Sequence, residues 1–333
     1  MEDRTVGLDQ KTRNTSMGRP HVVILGAGAS VAAFPDGDKN GRKLPVMNDL
    51  VEKLDLDSAL EKRGVEHEGR NFESIYSELH ETSGMEDLID LIDERVADYF
   101  SQLRLPNEPT LYDHLVLSLR PKDIVATFNW DPFLYDACAR NHQSVPLPHC
   151  VYLHGNVRIG HCLEDNRKGY VGANCSQCGE PFTPSKLLYP IEQKDYSSDD
   201  FISAEWADLR NALENAYVVT VFGYSAPKTD KEAIDLMKEA WGDVHDRNLE
   251  ETEIIDIKDE EVLREKWDVF IHTHHYQISS SFYDSLTAKH PRRSCEATWT
   301  QLMEAMWVEE NDFPEDASFP ELKKWLDPLL EEE

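Results

Sequence analysis

The chain has 333 residues, of which 29 % are charged and 40 % are hydrophobic, a composition typical of soluble globular domains. Its 64 acidic residues against 34 Lys and Arg give a formal net charge of −30, which disfavours binding to nucleic-acid backbones. No apolar run approaches the roughly 20 residues that cross a bilayer, and the polar start lacks the apolar core of a signal peptide. The six cysteines are too few for a disulfide scaffold in so long a chain. We therefore expect a cytoplasmic protein.

The first informative segment after a polar, flexible arm (residues 1–20) is the run H-V-V-I-L-G-A-G-A-S at 21–30. Its apolar residues predict a buried strand, which runs into a tight turn. Glycines at 26 and 28 permit that turn and a close approach of backbone N–H groups to a phosphate. The third glycine of a dinucleotide-binding motif is missing, because Val31 stands there, so a purely structural turn is the alternative.

A helical segment follows the turn. Residues 35–45 are rich in turn formers and predict a mobile loop. From Val46 to about Phe100 the hydrophobic period is helical, and another helix is expected at Thr110–Leu119. Asp49 has nearly the spacing of a ribose-binding acid, but it opens a helical stretch. We expect a helical insert over about 46–119.

Further apolar strands alternate with helices along the rest of the chain. The predicted strands are 123–131, 150–155, 217–225 and 253–257, and the predicted helices between them are 204–215 and 231–240. A loop-rich segment with three cysteines spans about 156–190, and the chain becomes more acidic after about 260. This alternation predicts an α/β fold, a doubly wound parallel sheet with a helical insert and a small cysteine-containing module. We expect a domain over 21–260 and a C-terminal extension over 261–333 that packs on it or mediates assembly.

Four of these strands end in residues that suit ligand binding. The ends are Gly26–Ser30, Asn129 with Asp131, His154, and Gly223–Ser225. Because ligands of parallel sheets bind outside the carboxyl ends of the strands, we expect the four ends to share one crevice. Each also has a structural interpretation. Asn129 and Asp131 suit a turn that caps a helix near Pro132, His154 suits a hydrogen-bonded core position, and Gly223–Ser225 suits a plain loop.

Together the four ends resemble the sirtuin family. The matching motifs are G-A-G-A-S at 26–30, T-F-N-W-D at 127–131, L-H-G at 153–155 and G-Y-S at 223–225, and the resemblance covers about residues 20–260. It implies a Rossmann-like sirtuin fold that uses NAD. The implied NAD-contacting residues are Gly26, Ala27, Gly28 and Ser30 at the pyrophosphate, Asp131 at the nicotinamide carboxamide, and Gly223, Ser225 and the Asp256 region on the adenosine side. The implied catalytic residues are Asn129, beside the nicotinamide ribose and the reactive water, and His154, the general base.

The cysteines depart from the sirtuin pattern of two Cys-x-x-Cys pairs. Here only Cys175 and Cys178 form such a pair, and Cys162 has Asp165 where its partner would stand. Three thiolates and one further ligand make a tetrahedral zinc site, so Zn²⁺ is expected at Cys162, Cys175 and Cys178. The candidates for the fourth ligand are His161, Asp165 and Cys150. The alternative is three free thiols in a loop.

Other departures concern the reaction. The segment 34–36 resembles a sirtuin loop but lacks its arginine, whereas 44–45, 187–190, Lys194 and 223–230 resemble bacterial sirtuin-like defence proteins. That resemblance implies an NAD hydrolase (NADase) acting in antiviral defence, a homo-oligomer, and a partner such as a ring-shaped ATPase or helicase or an Argonaute-type protein. The alternatives are an NAD-dependent protein deacylase and a non-catalytic NAD- or ADP-ribose-binding module. The histidines at 272, 274 and 275 suit a strand edge better than a metal site.

Overall fold

The computed structural model describes residues 4–189, 196, 199–226, 230–243, 245, 247, 249–268, 270 and 275–333. The strands of this part of the chain are β1 Thr5–Val6, β2 His21–Leu25, β3 Ile124–Thr127, β4 His149–Tyr152, β5 Ile159–Cys162, β6 Arg167–Tyr170, β7 Thr183–Pro184, β8 Val218–Phe222, β9 Glu251–Ile255, β10 Tyr276–Ser279 and β11 Trp307–Val308. The α-helices are α1 Leu8–Arg13, α2 Ala27–Ala33, α3 Leu50–Lys53, α4 Asp57–Lys62, α5 Phe72–Glu81, α6 Glu86–Ser101, α7 Leu111–Leu117, α8 Phe133–Asn141, α9 Asp200–Asn215, α10 Lys231–Trp241, α11 Glu260–Trp267, α12 Leu286–Lys289, α13 Ser294–Met303 and α14 Phe319–Leu330.

The centre of the molecule is a six-stranded, all-parallel sheet in the order β10-β9-β8-β2-β3-β4. Every residue of β2 and β8 is buried, because both strands are covered on both faces. Numbered along the chain within this sheet, the order is 3-2-1-4-5-6 and reverses between β2 and β8. Right-handed crossovers therefore place helices on opposite faces. The predicted doubly wound α/β fold is confirmed.

The helical insert lies between β2 and β3 and contains α3 to α6, followed by α7. One side of α6 is buried at Leu88, Ile92, Val96 and Phe100, at the i, i+4 spacing of an amphipathic helix. The loop before the insert is held together by the buried carboxylate of Asp38, which accepts hydrogen bonds from the backbone N–H groups of Asn40, Arg42 and Arg104. These three hydrogen bonds, rather than a helix or a strand, order the loop.

The segment predicted as loop-rich contains a small antiparallel sheet in the order β6-β5-β7. The cysteine-containing module of the predicted fold is thus present. The predicted strand 253–257 is wrong by two residues, since β9 covers Glu251–Ile255 and the side chain of Ile257 is 89 % exposed. Asp256 consequently follows the carboxyl end of the strand.

The C-terminal segment packs closely on this sheet. The edge strand β10 pairs with β9, so the sixth strand comes from the segment predicted as an extension. The guanidinium groups of Arg292 and Arg293 are buried and both donate to the carboxylate of Glu333. At the other end of the chain, β1 pairs with β11, which places part of the predicted N-terminal arm against the C-terminal segment.

A buried carboxyl group joins this segment to the sheet. Glu253 of β9 accepts hydrogen bonds from the Thr220 hydroxyl and the Leu286 N–H, at 2.7 Å each. Burial raises the pKa of Glu253 to about 7. Since an unfolded Glu has a pKa of about 4.3, the protonated form favours the folded state below that pH, and this contribution is lost as the pH rises to about 7.

We expect Glu253→Gln to be more stable than the wild type at pH 8, by about 1–3 kcal/mol, because an amide is buried at lower cost than a carboxylate. Urea unfolding at pH 4 and pH 8 measures the difference, which should be near zero at pH 4, below the unfolded pKa. Glu260→Gln, on the exposed first turn of α11, is the matched control and should change neither value. A Glu253→Gln protein less stable than the wild type at pH 8 would contradict this account of the carboxyl group.

Candidate functional site

The turns that follow β2 and β8 meet where the strand order reverses. The N–H of Gly28 donates to the carbonyl of Gly223 at 2.9 Å, and the N–H of Gly26 donates to Phe222 at 3.0 Å. A Cβ on Gly26 would lie 2.5 Å from the Cα of Tyr224. The glycines therefore let two backbone turns touch at the point where sheets with this strand order bind dinucleotides.

We expect Gly223→Ala to lower the free energy of unfolding by about 2–4 kcal/mol. The added Cβ would lie 2.2 Å from the Ala29 nitrogen, and the φ of +62° disfavours any L side chain. Gly84→Ala is the matched control, because Gly84 has a φ of +82° with no atom near the added Cβ. The control should lose about 1 kcal/mol in denaturant unfolding. Equal losses in the two variants would show that the contact between the turns contributes nothing.

The ends of β2 and β3 are joined by a buried hydrogen-bond network centred on Ser30. Its hydroxyl donates to Asp131 Oδ2 at 2.6 Å and lies 2.6 Å from the hydroxyl of Tyr112. The amide nitrogen of Asn129 donates to Ser30 Oγ at 3.0 Å and to the carbonyl of Gly26 at 2.9 Å. Three of the predicted site residues thus lie in contact. The geometry also orients the Asn129 side chain, because both amide protons are engaged and Oδ1 is left as the acceptor.

Asp131 accepts a hydrogen bond from Ser30 and also caps the start of a helix, so the two roles considered for it from the sequence occur together. Its Oδ1 accepts from the N–H of Phe133 at 3.2 Å, at the start of α8. Its side chain is buried, and desolvation raises the pKa of Asp131 to about 6. The carboxyl group therefore titrates just below neutral pH, unlike an exposed aspartate.

His154 follows β4, next to the Asn129 end of β3. Its ring is buried between aromatic side chains, edge-on to Phe128 at 4.8 Å and parallel to Tyr196 at 5.8 Å. Its Nε2 lies 3.1 Å from the Tyr196 hydroxyl. Two residues later, the amide of Asn156 donates to the backbone carbonyls of Asn129 and Asp131, at 3.4 and 2.6 Å. These two bonds fix the end of β4 against the end of β3.

The aromatic ring of Tyr224 connects the end of β8 to the ends of β3 and β4. It stacks on Phe128 at 4.2 Å with an interplanar angle of 8°, and its hydroxyl donates to Asp230 at 2.9 Å. Phe128 therefore contacts both Tyr224 and His154. All four strand ends predicted from the sequence lie around one edge of the sheet.

Three of the remaining predicted residues lie at the surface of this edge, whereas the side chain of Asp256 is largely buried. Ala27, Gly28 and Ser225 are exposed, which leaves them open to a ligand. Asp256 is 3.3 Å from the ammonium of Lys258, and its N–H donates to Ser279 of β10. The sequence interpretation missed Tyr112, Asn156 and Tyr224. The last two follow His154 and Gly223 closely in the chain, so a search around the strand ends would have found them.

A second cluster lies in the cysteine-containing module. One ligand atom from each of Cys162, Asp165, Cys175 and Cys178 lies within 4.8 Å of all the others. The Cys162 and Cys178 sulfurs are 3.5 Å apart, and the Cys175 sulfur is 3.1 Å from Asp165 Oδ2. Zn–S bonds of about 2.3 Å give tetrahedral ligand separations of about 3.8 Å, so three thiolates and a carboxylate here fit Zn²⁺.

Of the three candidates for a fourth ligand, only Asp165 belongs to this cluster among the described residues. The ring of His161 stacks on Phe201 at 5.3 Å, and the sulfur of Cys150 lies 3.4 Å from that of Cys138. Hydrogen bonds from the thiols of Cys178 and Cys175 lower the pKa of Asp165. The predicted residues at 190, 194, 227–229, 272 and 274 lie outside the described residues.

No sequence-family model matches the chain, and no curated protein matches it. Solved structures of Sir2 proteins are similar to it. A Sir2 variant with a deacetylated p53 peptide and 3′-O-acetyl-ADP-ribose is 14 % identical with a TM-score of 0.36, over 88 % of this chain and 95 % of that one. A Sir2 homologue in complex with NAD is 15 % identical with a TM-score of 0.35, over 89 % and 92 %.

A further structure of a Sir2 enzyme is 12 % identical, with a TM-score of 0.39 over 97 % of this chain and 94 % of that one. Among the described helices, none has the length and apolar character required to span a membrane.

Proposed function

We propose that this protein is an NAD hydrolase of the sirtuin-like type, which cleaves NAD to nicotinamide and ADP-ribose. The observation that carries the proposal is the network joining Ser30, Asn129 and Asp131 at the strand-order reversal of the sheet. Sheets with this strand order bind dinucleotides at that place. The exposed turn at Ala27 and Gly28 would face the pyrophosphate there.

Cleavage of the nicotinamide–ribose bond passes through an oxocarbenium-like state and needs a positioned nucleophile. The free Oδ1 of Asn129 would accept from a ribose hydroxyl or the attacking water, because its amide protons are already engaged. His154 would remove a proton as the general base, a role that suits a neutral imidazole near pH 7. Asp131 would hold the carboxamide of the leaving nicotinamide, and Gly223, Ser225 and Asp256 would lie on the adenosine side.

The segment after the cysteine module supports hydrolysis over deacylation. The N–H of Leu188 donates to the carbonyl of His154 at 2.9 Å, and its own carbonyl accepts from the indole of Trp130 at 3.2 Å. A Cβ on Gly155 would lie 2.0 Å from the carbonyl of Lys186, so this segment packs directly on the end of β4. A peptide substrate would have to compete for backbone groups that the chain itself occupies.

Product analysis tests the choice between the two reactions. Purified protein is incubated with NAD, with and without an acetyl-lysine peptide library, and the products are separated by chromatography with mass detection. Hydrolysis predicts free ADP-ribose and nicotinamide in equal amounts, with or without peptide. O-acetyl-ADP-ribose appearing only with peptide, and without free ADP-ribose, would replace this proposal with the deacylase. NAD that binds and stays intact would favour the non-catalytic module.

An unregulated NAD hydrolase would deplete its own cell, so we also propose that activity is controlled by assembly. A homo-oligomer, or a partner such as a ring-shaped ATPase, a helicase or an Argonaute-type protein, would suit an effector of antiviral defence. A structural Zn²⁺ on Cys162, Asp165, Cys175 and Cys178 would hold the module that carries the Leu188 segment.

A further inference from the structure

Tyr112 belongs to the Ser30 network, but no step of the proposed reaction uses it. Its side chain is buried, and its ring packs on Phe34 and Phe133 with centroid distances of 6.1 and 6.2 Å. These contacts hold the hydroxyl 2.6 Å from Ser30 Oγ and 3.3 Å from the amide nitrogen of Asn129. Burial raises the pKa of Tyr112, so the phenol keeps its proton at neutral pH.

The direction of each hydrogen bond in the network follows from the protons that are available. The Asn129 nitrogen can only donate, so the Tyr112 proton does not go to it. Among the described residues, the other polar neighbour of the phenol is Ser30 Oγ, which therefore accepts the Tyr112 proton. Ser30 has a single proton of its own. Because Tyr112 and Asn129 both donate to its oxygen, that proton goes to Asp131 Oδ2 at 2.6 Å.

This direction requires that Asp131 Oδ2 carries no proton. A hydroxyl oxygen has two acceptor positions, and Tyr112 and Asn129 already fill both positions on Ser30. A protonated Oδ2 would be a third donor to the same oxygen. The other oxygen of Asp131, Oδ1, accepts from the N–H of Phe133 at 3.2 Å and likewise favours the ionised carboxylate. Tyr112 thus acts on Asp131 through the Ser30 hydroxyl.

We propose that Tyr112 is a positioning residue of this site, which commits the Ser30 proton to Asp131 and so keeps that carboxylate an acceptor. The inference rests on the proposed function, in which the ionised Asp131 accepts from the carboxamide NH₂ of nicotinamide. Tyr112→Phe keeps the ring and removes the donor that opposes protonation of Oδ2. The wild-type pKa of Asp131 is about 6, and we expect it to rise by about one unit in the variant, the scale of one hydrogen bond to a charged group.

Carboxyl NMR of protein labelled with [4-¹³C]aspartate measures this pKa directly, and Asp131→Asn identifies the signal. The titration is carried out without NAD, so its result does not depend on the proposed function. Asp136 of α8, 3.4 Å from Arg158, is the other charged group that acts on Asp131 among the described residues, and it is present in both proteins. We expect a midpoint near pH 6 in the wild type and near pH 7 in Tyr112→Phe. Equal midpoints would overturn the proposal.

The pH profile of kcat/KM for NAD tests the consequence for the reaction. Its acidic limb reports the free enzyme, in which Asp131 must be ionised. A rise of one unit from pH 6 predicts that Tyr112→Phe loses about fivefold at pH 6, about twofold at pH 7 and nothing at pH 8.5. An equal loss at every pH would indicate a merely structural role and overturn the proposal. A wild type that leaves NAD intact would instead contradict the proposed function, and the carboxyl titration would still decide the role of Tyr112.

Two further variants complete the test. Tyr76→Phe is the matched control, because Tyr76 is also buried and its hydroxyl donates to a carboxylate outside the network, that of Asp93. It should keep the wild-type profile and the wild-type Asp131 midpoint. In a Ser30→Ala background, adding Tyr112→Phe should not move the Asp131 midpoint, because the hydroxyl that links the two is gone. A shift of the same size with and without Ser30 would overturn the route through Ser30.

Discussion

Replacing Asn129 or His154 by alanine is expected to lower NAD turnover by at least about a hundredfold, with little change in fold. This is the usual scale for the loss of a positioning group or a general base. Asn129 makes its contacts at the crevice edge, to Gly26 and Ser30, and the imidazole of His154 lies on the neighbouring strand end. Neither variant removes a hydrogen bond between the backbones of neighbouring strands.

Each variant has a matched control of the same residue type at the surface. His149 is exposed on β4, the strand that precedes His154, and Asn211 lies on the exposed side of α9, so His149→Ala and Asn211→Ala are the controls. Nicotinamide release is measured by chromatography, and circular dichroism with a thermal melt verifies folding. The controls should retain wild-type turnover. Folded Asn129→Ala and His154→Ala proteins that hydrolyse NAD at the wild-type rate would show that the site assignment is wrong.

Removal of zinc is expected to unfold the module of β5, β6 and β7. The strands of this module are only two to four residues long, so much of the binding free energy of the ion, of the order of 10–16 kcal/mol in small zinc domains, would be folding free energy of the module. Metal analysis of untagged protein should find about one zinc per chain. Cys175→Ser, or treatment with a strong chelator, should lower the melting temperature and expose the module to proteolysis.

The matched control for the zinc prediction is Cys138→Ala. Cys138 is a free cysteine that lies beside Cys150 and outside the four-residue cluster. This variant should bind zinc as the wild type does. Asp165→Ala should bind zinc more weakly, because it removes the fourth ligand and leaves three thiolates. A metal-free preparation with an unchanged melting temperature would contradict the site.

The sheet and its edge could be predicted from the sequence because their patterns are local. Buried parallel strands are continuous apolar runs, as in β2 and β8, and the polar residues that end them follow directly in the chain. The bounds of β9, at Glu251–Ile255, are harder to predict because the strand begins with polar residues. Glu253 is polar in the sequence but buried in the fold, where Thr220 and Leu286 satisfy its carboxyl group.

Contacts between distant segments could not be predicted. Tyr112 lies 82 residues after Ser30, and only the packing of α7 against α2 brings the two hydroxyls together. The cysteine spacing predicted three metal ligands, but the choice of Asp165 over His161 and Cys150 required the hairpin geometry of β5 and β6. In both cases tertiary packing determines the partner, and a single sequence carries no record of it.

The most direct test of the central claim is the fate of NAD alone in the presence of the purified protein. Protein at increasing concentration is incubated with NAD and no peptide, and nicotinamide and ADP-ribose are measured over time beside bound NAD. A hydrolase predicts that both products accumulate in a one-to-one ratio, and that Asn129→Ala abolishes the release. NAD that binds at the crevice but yields no nicotinamide at any protein concentration would contradict the proposed function.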